Sequence, residues 1–134
     1  MQETRFNDTY PVYETEIARH ETSATNTEEI MARLKRIIET DPTAAFIGLF
    51  DHYQHTAQLP GGEIGEGIRA AQNIVFCFGM KLPNPQVMAV RPRSIGVTEY
   101  DDRFVVNFME PPMPAPALIM TEWVNALRDR LPFA

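Results

Sequence analysis

The sequence predicts an α+β protein: a single mixed β-sheet of about four to five strands with two main helices packed on one face. Three observations carry this. Two runs, 44–50, wholly apolar, and 73–79, apolar after Asn73, lack alternation and read as strands buried inside a sheet. Two stretches, one from Thr27 to Asp41 and one from Ala117 to Leu131, repeat apolar residues at helical spacing. Between Ile95 and Phe108, two segments of period two flank Asp101-Asp102 and read as a hairpin. At 134 residues the chain is one domain, 1–134, by size, and long enough to bury a core without staples.

Residues 1–9 are polar and read as a frayed end. From Tyr10 to Thr22 the chain alternates imperfectly: Tyr13, Thr15 and Ile17 share one side and Val12, Glu14 and Glu16 the other, which suits a strand with one exposed face. Asn26 or Thr27 then caps a helix whose first turn carries Glu28 and Glu29. Ile30, Leu34, Ile37 and Ile38 form its apolar stripe. Burying these side chains is worth about 6–12 kcal/mol at ~1.5–3 each, an upper bound. Glu29 and Arg33 form an i,i+4 pair. Pro42 disfavours helix in the residue before it and ends the helix near Asp41.

The strand 44–50 follows, and a strand–helix–strand order predicts a parallel crossover. Gly48 inside it marks a close approach by another backbone or side chain. Residues 51–72 read as loop with a short helical piece from Glu66 to Ala71, and Gln86 to Val90 as one helical turn. A two-residue turn at Asp101-Asp102 sets Val97 opposite Val106 and Ile95 opposite Phe108, apolar against apolar. Pro111, Pro112, Pro114 and Pro116 form a stiff connector. The last helix, Ala117 to Leu131, places Met120, Trp123, Leu127 and Leu131 on its stripe, with Arg128 and Arg130 at its negative end. Helices on one side leave the other sheet face bare. The central runs are apolar on both sides, which predicts a homodimer contact there.

Composition excludes several functions. Twelve basic and 18 acidic residues give a net charge of −6, against a nucleic-acid partner and against an anionic membrane. Cys77 is the only cysteine, so no intramolecular disulfide and no cysteine-based zinc site forms. The first twenty residues are studded with charge, unlike a signal peptide, and no apolar run approaches the ~20 residues of a membrane helix. The protein reads as cytoplasmic.

The segment Asp51-His52-Tyr53-Gln54-His55, directly after an apolar strand, is the candidate site, because strand ends are where sites tend to lie. His52 and His55 share a face on a helical turn. As neutral imidazoles they are candidate metal ligands, with Asp51, Glu63 or Glu66 completing a shell. The plain alternative is that His52 hydrogen-bonds the strand end and His55 is solvated; zinc-hydrolase signatures place the histidines four apart, beside a glutamate. Gly61 to Gly67 lacks the Lys-Ser or Lys-Thr of a phosphate loop, and Glu63 and Glu66 repel anions, so it reads as a connector. Cys77, between two phenylalanines, reads as a core residue; its alternative is a redox thiol. Arg91 and Arg93 clasp an anion or pair with the acidic surface. Trp123 is an anchor for the last helix. Met109, Met113 and Met120 fill core or offer an adaptable contact surface.

From Glu14 to about Arg128 the order of motifs resembles a bacterial family of small α+β domains, domain of unknown function 302. The matching residues are Asp51-His52 with Ala57 beyond, Phe78-Gly79, Asn84-Pro85 with Met88, and the hairpin ending before Pro111. Met80-Lys81-Leu82-Pro83 interrupts the family's Phe-Gly to Asn-Pro step, and Arg91-Pro92-Arg93 replaces its apolar lead-in, which marks a divergent member. The resemblance implies a single-layer sheet with helices on one side, paired into dimers, and no established activity. The expected function is a non-catalytic homodimer that binds a small ligand or a partner through Asp51, His52, His55 and Glu63, with no cofactor. The alternative is a metal-dependent enzyme with His52 and His55 as ligands and Glu63 or Glu66 as base.

Overall fold

The structure, a computed structural model, describes residues 1–130. Strands β1 (Gln2–Phe6) and β2 (Tyr10–Ala18) lead into α1 (Thr27–Thr40). β3 (Ala44–Asp51), α2 (His52–Gln58) and β4 (Ala70–Phe78) follow, then β5 (Arg93–Glu99), β6 (Arg103–Met109) and α3 (Pro114–Asn125). One sheet holds all six strands in the order β1-β2-β6-β5-β4-β3, and every neighbouring pair is antiparallel.

The α+β class stands, but the finer architecture corrects the expectation of a mixed four- to five-stranded sheet with two helices. β2 and β3 point the same way, as a crossover requires, yet β6, β5 and β4 lie between them, so no parallel ladder forms. The sixth strand is β1, in the segment expected to fray. Asn7 and Asp8 take positive φ, 52° and 58°, a conformation these two residue types tolerate best after glycine, and the tight turn folds β1 back so that Thr4 pairs with Val12. The third helix is α2, placed where a loop was expected; the helical piece expected at Glu66 to Ala71 is absent, because Ala70 already starts β4.

Asn26 caps α1, its side chain accepting from the Glu29 backbone N–H at 2.9 Å. Ile30, Leu34 and Ile38 are fully buried against β3, β4 and β5. Arg33 pairs with Asp129 at 2.9 Å, and Glu29 turns to Thr25. The hairpin register is as expected, with Val97 opposite Val106 and Glu99 opposite Phe104. α3 begins earlier than expected, at Pro114, since a proline in the first turn gives up an N–H that has no helical partner there. It ends at Asn125; Arg128 lies beyond it and binds Glu21 at 3.1 Å, and Leu131 lies outside the described residues. Trp123 anchors it, stacked on Phe78 at 5.3 Å and edge-on to Phe76 at 5.2 Å.

The core lies between the helices and one sheet face: Ile17, Ile74, Phe76, Ile95, Val97, Phe104 and Val106 point inward from the strands. The other face carries no helix of the core layer, and its centre is polar. Glu14 accepts from the Asn107 amide at 3.0 Å. Asn107 and Asn73 flank Gly96, where a Cβ would sit 3.1 Å from one amide and 3.4 Å from the other. β3 was expected to be buried, but it is the outer strand of the sheet, and Ile47 and Leu49 are about half exposed.

Candidate functional site

β3 runs straight into α2 at Asp51. The Asp51 carboxylate caps the helix, accepting from the Gln54 N–H at 3.0 Å, which satisfies one of the donors every helix start leaves free. Once α2 begins there, the three-residue spacing of His52 and His55 puts both rings on one side, 6.0 Å apart between centroids, and each lies 5.4 Å from the Phe50 ring. His52 Nδ1 and Thr56 Oγ1 are 3.2 Å apart. The result is an exposed three-ring cluster.

The cleft lies on the opposite side of the same turn. Asp51, Tyr53 and Gln54 line a concavity of about 290 Å³, closed by Asn26, Thr27 and Glu28 at the start of α1, by Arg69, Ala70 and Gln72, and by Glu99. His52 and His55 do not line it. Glu63 and Glu66 lie exposed in the connector between α2 and β4. The expected residue set therefore divides: Asp51 belongs to the cleft, the imidazoles to a patch with Phe50, and the glutamates to neither. Among the described residues no three of His, Cys, Asp and Glu stand together as a metal-ligand group, so the imidazole pair has no third protein ligand in this arrangement.

The residue that fixes the cleft is Glu99. One of its oxygens accepts from both the backbone N–H and the hydroxyl of Thr27, at 2.8 Å each, and the other accepts from Arg19 at 3.0 Å. Burial pushes the Glu99 carboxyl up, but the bonds from Arg19 and Thr27 together outweigh it and hold the pKa below the ordinary carboxylate value. Glu99 thus ties the start of α1 to the end of the hairpin. At the mouth, Arg69 and Asp101 pair in the open at 2.7 Å. The sequence signal for Glu99 was present: it is an acid in phase with Ile95 and Val97 on a strand's inward face.

A larger groove, about 600 Å³, lies at the opposite corner between β1, β2 and the proline connector. Glu3, Tyr13, Glu110, Met113 and Leu118 are among its walls. The Tyr13 hydroxyl donates to Glu110 at 3.3 Å; burial, then the Glu110 and Glu3 charges, raise its pKa. Met113 and Leu118 are exposed here while Met120 is buried, so the methionines serve surface and core alike. Sequence reading did not find this groove, because its walls come from both ends of the chain.

The remaining candidates do other work. Arg93 donates to the carbonyls of Met109 at 2.5 Å and Val90 at 3.3 Å, and Arg91 to that of Lys81 at 2.7 Å. Among the described residues neither forms an ion pair, and burial lowers the Arg93 pKa. Cys77 is a free, half-buried thiol on the bare face, outside the core, its Sγ 3.2 Å from the Phe78 carbonyl.

A family model described as a family of unknown function, DUF6858, matches residues 1–129. The chain belongs to this family. No curated protein and no solved structure matches it. The match spans both concavities and the whole sheet, so the cleft and the groove both fall within the family's domain. No helix among the described residues is long and apolar enough to cross a membrane.

Proposed function

We propose that the chain is a non-catalytic binding module that acts as a cytoplasmic homodimer and takes a small polar ligand or a protein partner in the cleft beside Asp51. The observation that carries this reading is the lining of the cleft. Glu28, Asp51, Tyr53, Gln54 and Gln72 line it with acceptors and donors at the meeting point of two helix starts and two strands. Its one cation, Arg69, is tied to Asp101. That chemistry suits a compact molecule rich in N–H donors, such as an amine, amide or guanidine. Purified protein screened by thermal shift against amines, amides and guanidines is expected to give a hit whose stabilisation grows with concentration, about 2.7 kcal/mol at 100 times Kd. The double variant Tyr53→Ala/Gln72→Ala is expected to lose that stabilisation. A panel with no hit, or a hit indifferent to the double variant, removes the cleft from consideration.

One observation favours a second reading: the two imidazoles stand together on an exposed surface. In it the chain is a metal-dependent enzyme with His52 and His55 as ligands and Glu63 or Glu66 as general base. Stoichiometric metal by elemental analysis, lost in His52→Ala/His55→Ala, supports it; metal-free protein that folds unchanged in the variant discards it. Kinship with domain of unknown function 302 is part of the proposal, supported by the placement of Phe78-Gly79 at the end of β4 and of the hairpin before Pro111.

A further inference from the structure

We propose that two copies join edge to edge through β3, antiparallel, about a two-fold axis near Gly48. This rests on the homodimer reading above and names the surface that makes it.

An outer strand turns alternate N–H and C=O groups away from its sheet, and proteins normally guard such an edge with charge, proline or a bulge. From Ala44 to Phe50 there is no charge and no proline, and the one guard is the bulge at Ile47. Ile47, Leu49 and Phe50 remain 56 %, 49 % and 42 % exposed, a concentration of apolar side chains that one copy leaves in water. The strand's eight residues span roughly 26 Å at ~3.3 Å each, long enough for a ladder. The ladder to β4 slips at Ile47. That bulge bends the strand, so self-pairing uses a short arm on each side of it, and the two-fold repeats both arms.

Gly48 adjoins the bulge, and a glycine inside a strand often marks one. Its φ is not left-handed, and a Cβ there would meet nothing within 4 Å, so nothing of one copy stands over the strand centre at that point. Charge is the independent observation. The Lys35 ammonium lies over the Phe46 ring, 4.9 Å from its centroid, while Asp51 closes the other end of the strand. Antiparallel self-pairing brings the Phe46 end of one copy to the Asp51 end of the other, so an ammonium and a carboxylate approach one another twice. The bare sheet face is the weaker candidate, since its central Glu14, Asn107 and Asn73 are polar and its rim holds the Arg103–Glu16 ion pair.

Sedimentation of the full chain with four variants tests this. The wild type is expected to dimerise. Ile47→Lys/Leu49→Lys is expected to raise the dimer Kd at least 100-fold, and Gly48→Asp, which sets two carboxylates face to face at the axis, at least tenfold with an unchanged circular dichroism spectrum. Val105→Arg, on the bare face, is expected to leave it alone. Gly48→Cys in a Cys77→Ser background is expected to cross-link to its own copy under oxidation. A dimer that survives both edge variants and splits in Val105→Arg overturns the β3 pairing while keeping the homodimer. A wild type that stays monomeric at every concentration overturns both.

Discussion

The two edges of this sheet have opposite chemistry. β1 carries Glu3 and Arg5 among five residues and hangs on β2 alone; its charges let it stand in water. β3 is uncharged from Ala44 to Phe50, and its inner side is joined to the core through Phe46 and Phe76. Hydrophobic pattern carries no mark of the polar edge, and it gives the apolar edge the signature of a central strand. An unbroken apolar run does not by itself place a strand at the centre of a sheet: β3 is the outer one.

Substitutions break or sharpen this contrast. The largest effect is expected at Phe76→Ala, which removes the fully buried ring between β3 and Trp123. A loss of about 3–5 kcal/mol is expected, read by urea unfolding. If the β3 side tolerates it, that edge is as loosely attached as β1. Next comes Glu99→Ala, which strands the Thr27 N–H and Arg19 and is expected to cost about 2–3 kcal/mol. Because the Glu99 pKa is lower folded than unfolded, its contribution is full above the ordinary carboxylate value near 4.5 and fades as pH falls through the folded value. Glu99→Gln should therefore flatten the acid limb of the stability–pH curve, and an unaltered limb rules the linkage out. Asp51→Ala uncaps α2 where β3 ends and is expected to cost about 1 kcal/mol, seen as a lower melting temperature. Smallest is Arg5→Ala on β1, expected within about 0.5 kcal/mol; a larger loss means the polar edge is more than a solvated margin.

Much of the middle of the molecule was legible. Val97 facing Val106, the Asn26 cap and the Ile30–Leu34–Ile38 stripe follow from local periodicity, and each is present. β1 was missed because both its faces are polar, although Asn7-Asp8 carried a turn signal. α2 was missed because seven residues with no buried side chain leave no stripe to read. α3 starts ahead of its apolar stripe, because Pro114 begins the helix inside a proline-rich segment that by composition reads as a connector. At the site, the strand-end position of Asp51 and the shared side of His52 and His55 were readable from neighbours in sequence. The cleft was not, since Thr27, Arg69 and Glu99 arrive from three distant segments, and spacing says nothing of partners that far apart.

Trp123 joins α3 to the approach of β3. Its indole donates to Asp41 at 3.2 Å, three residues before β3 begins, while its ring lies on Phe78 at the far end of β4 and is only 5 % exposed. The molecule thus carries a single tryptophan wired to the seating of its outermost apolar strand. Its emission colour and lifetime report, without any label, how firmly that ribbon is held.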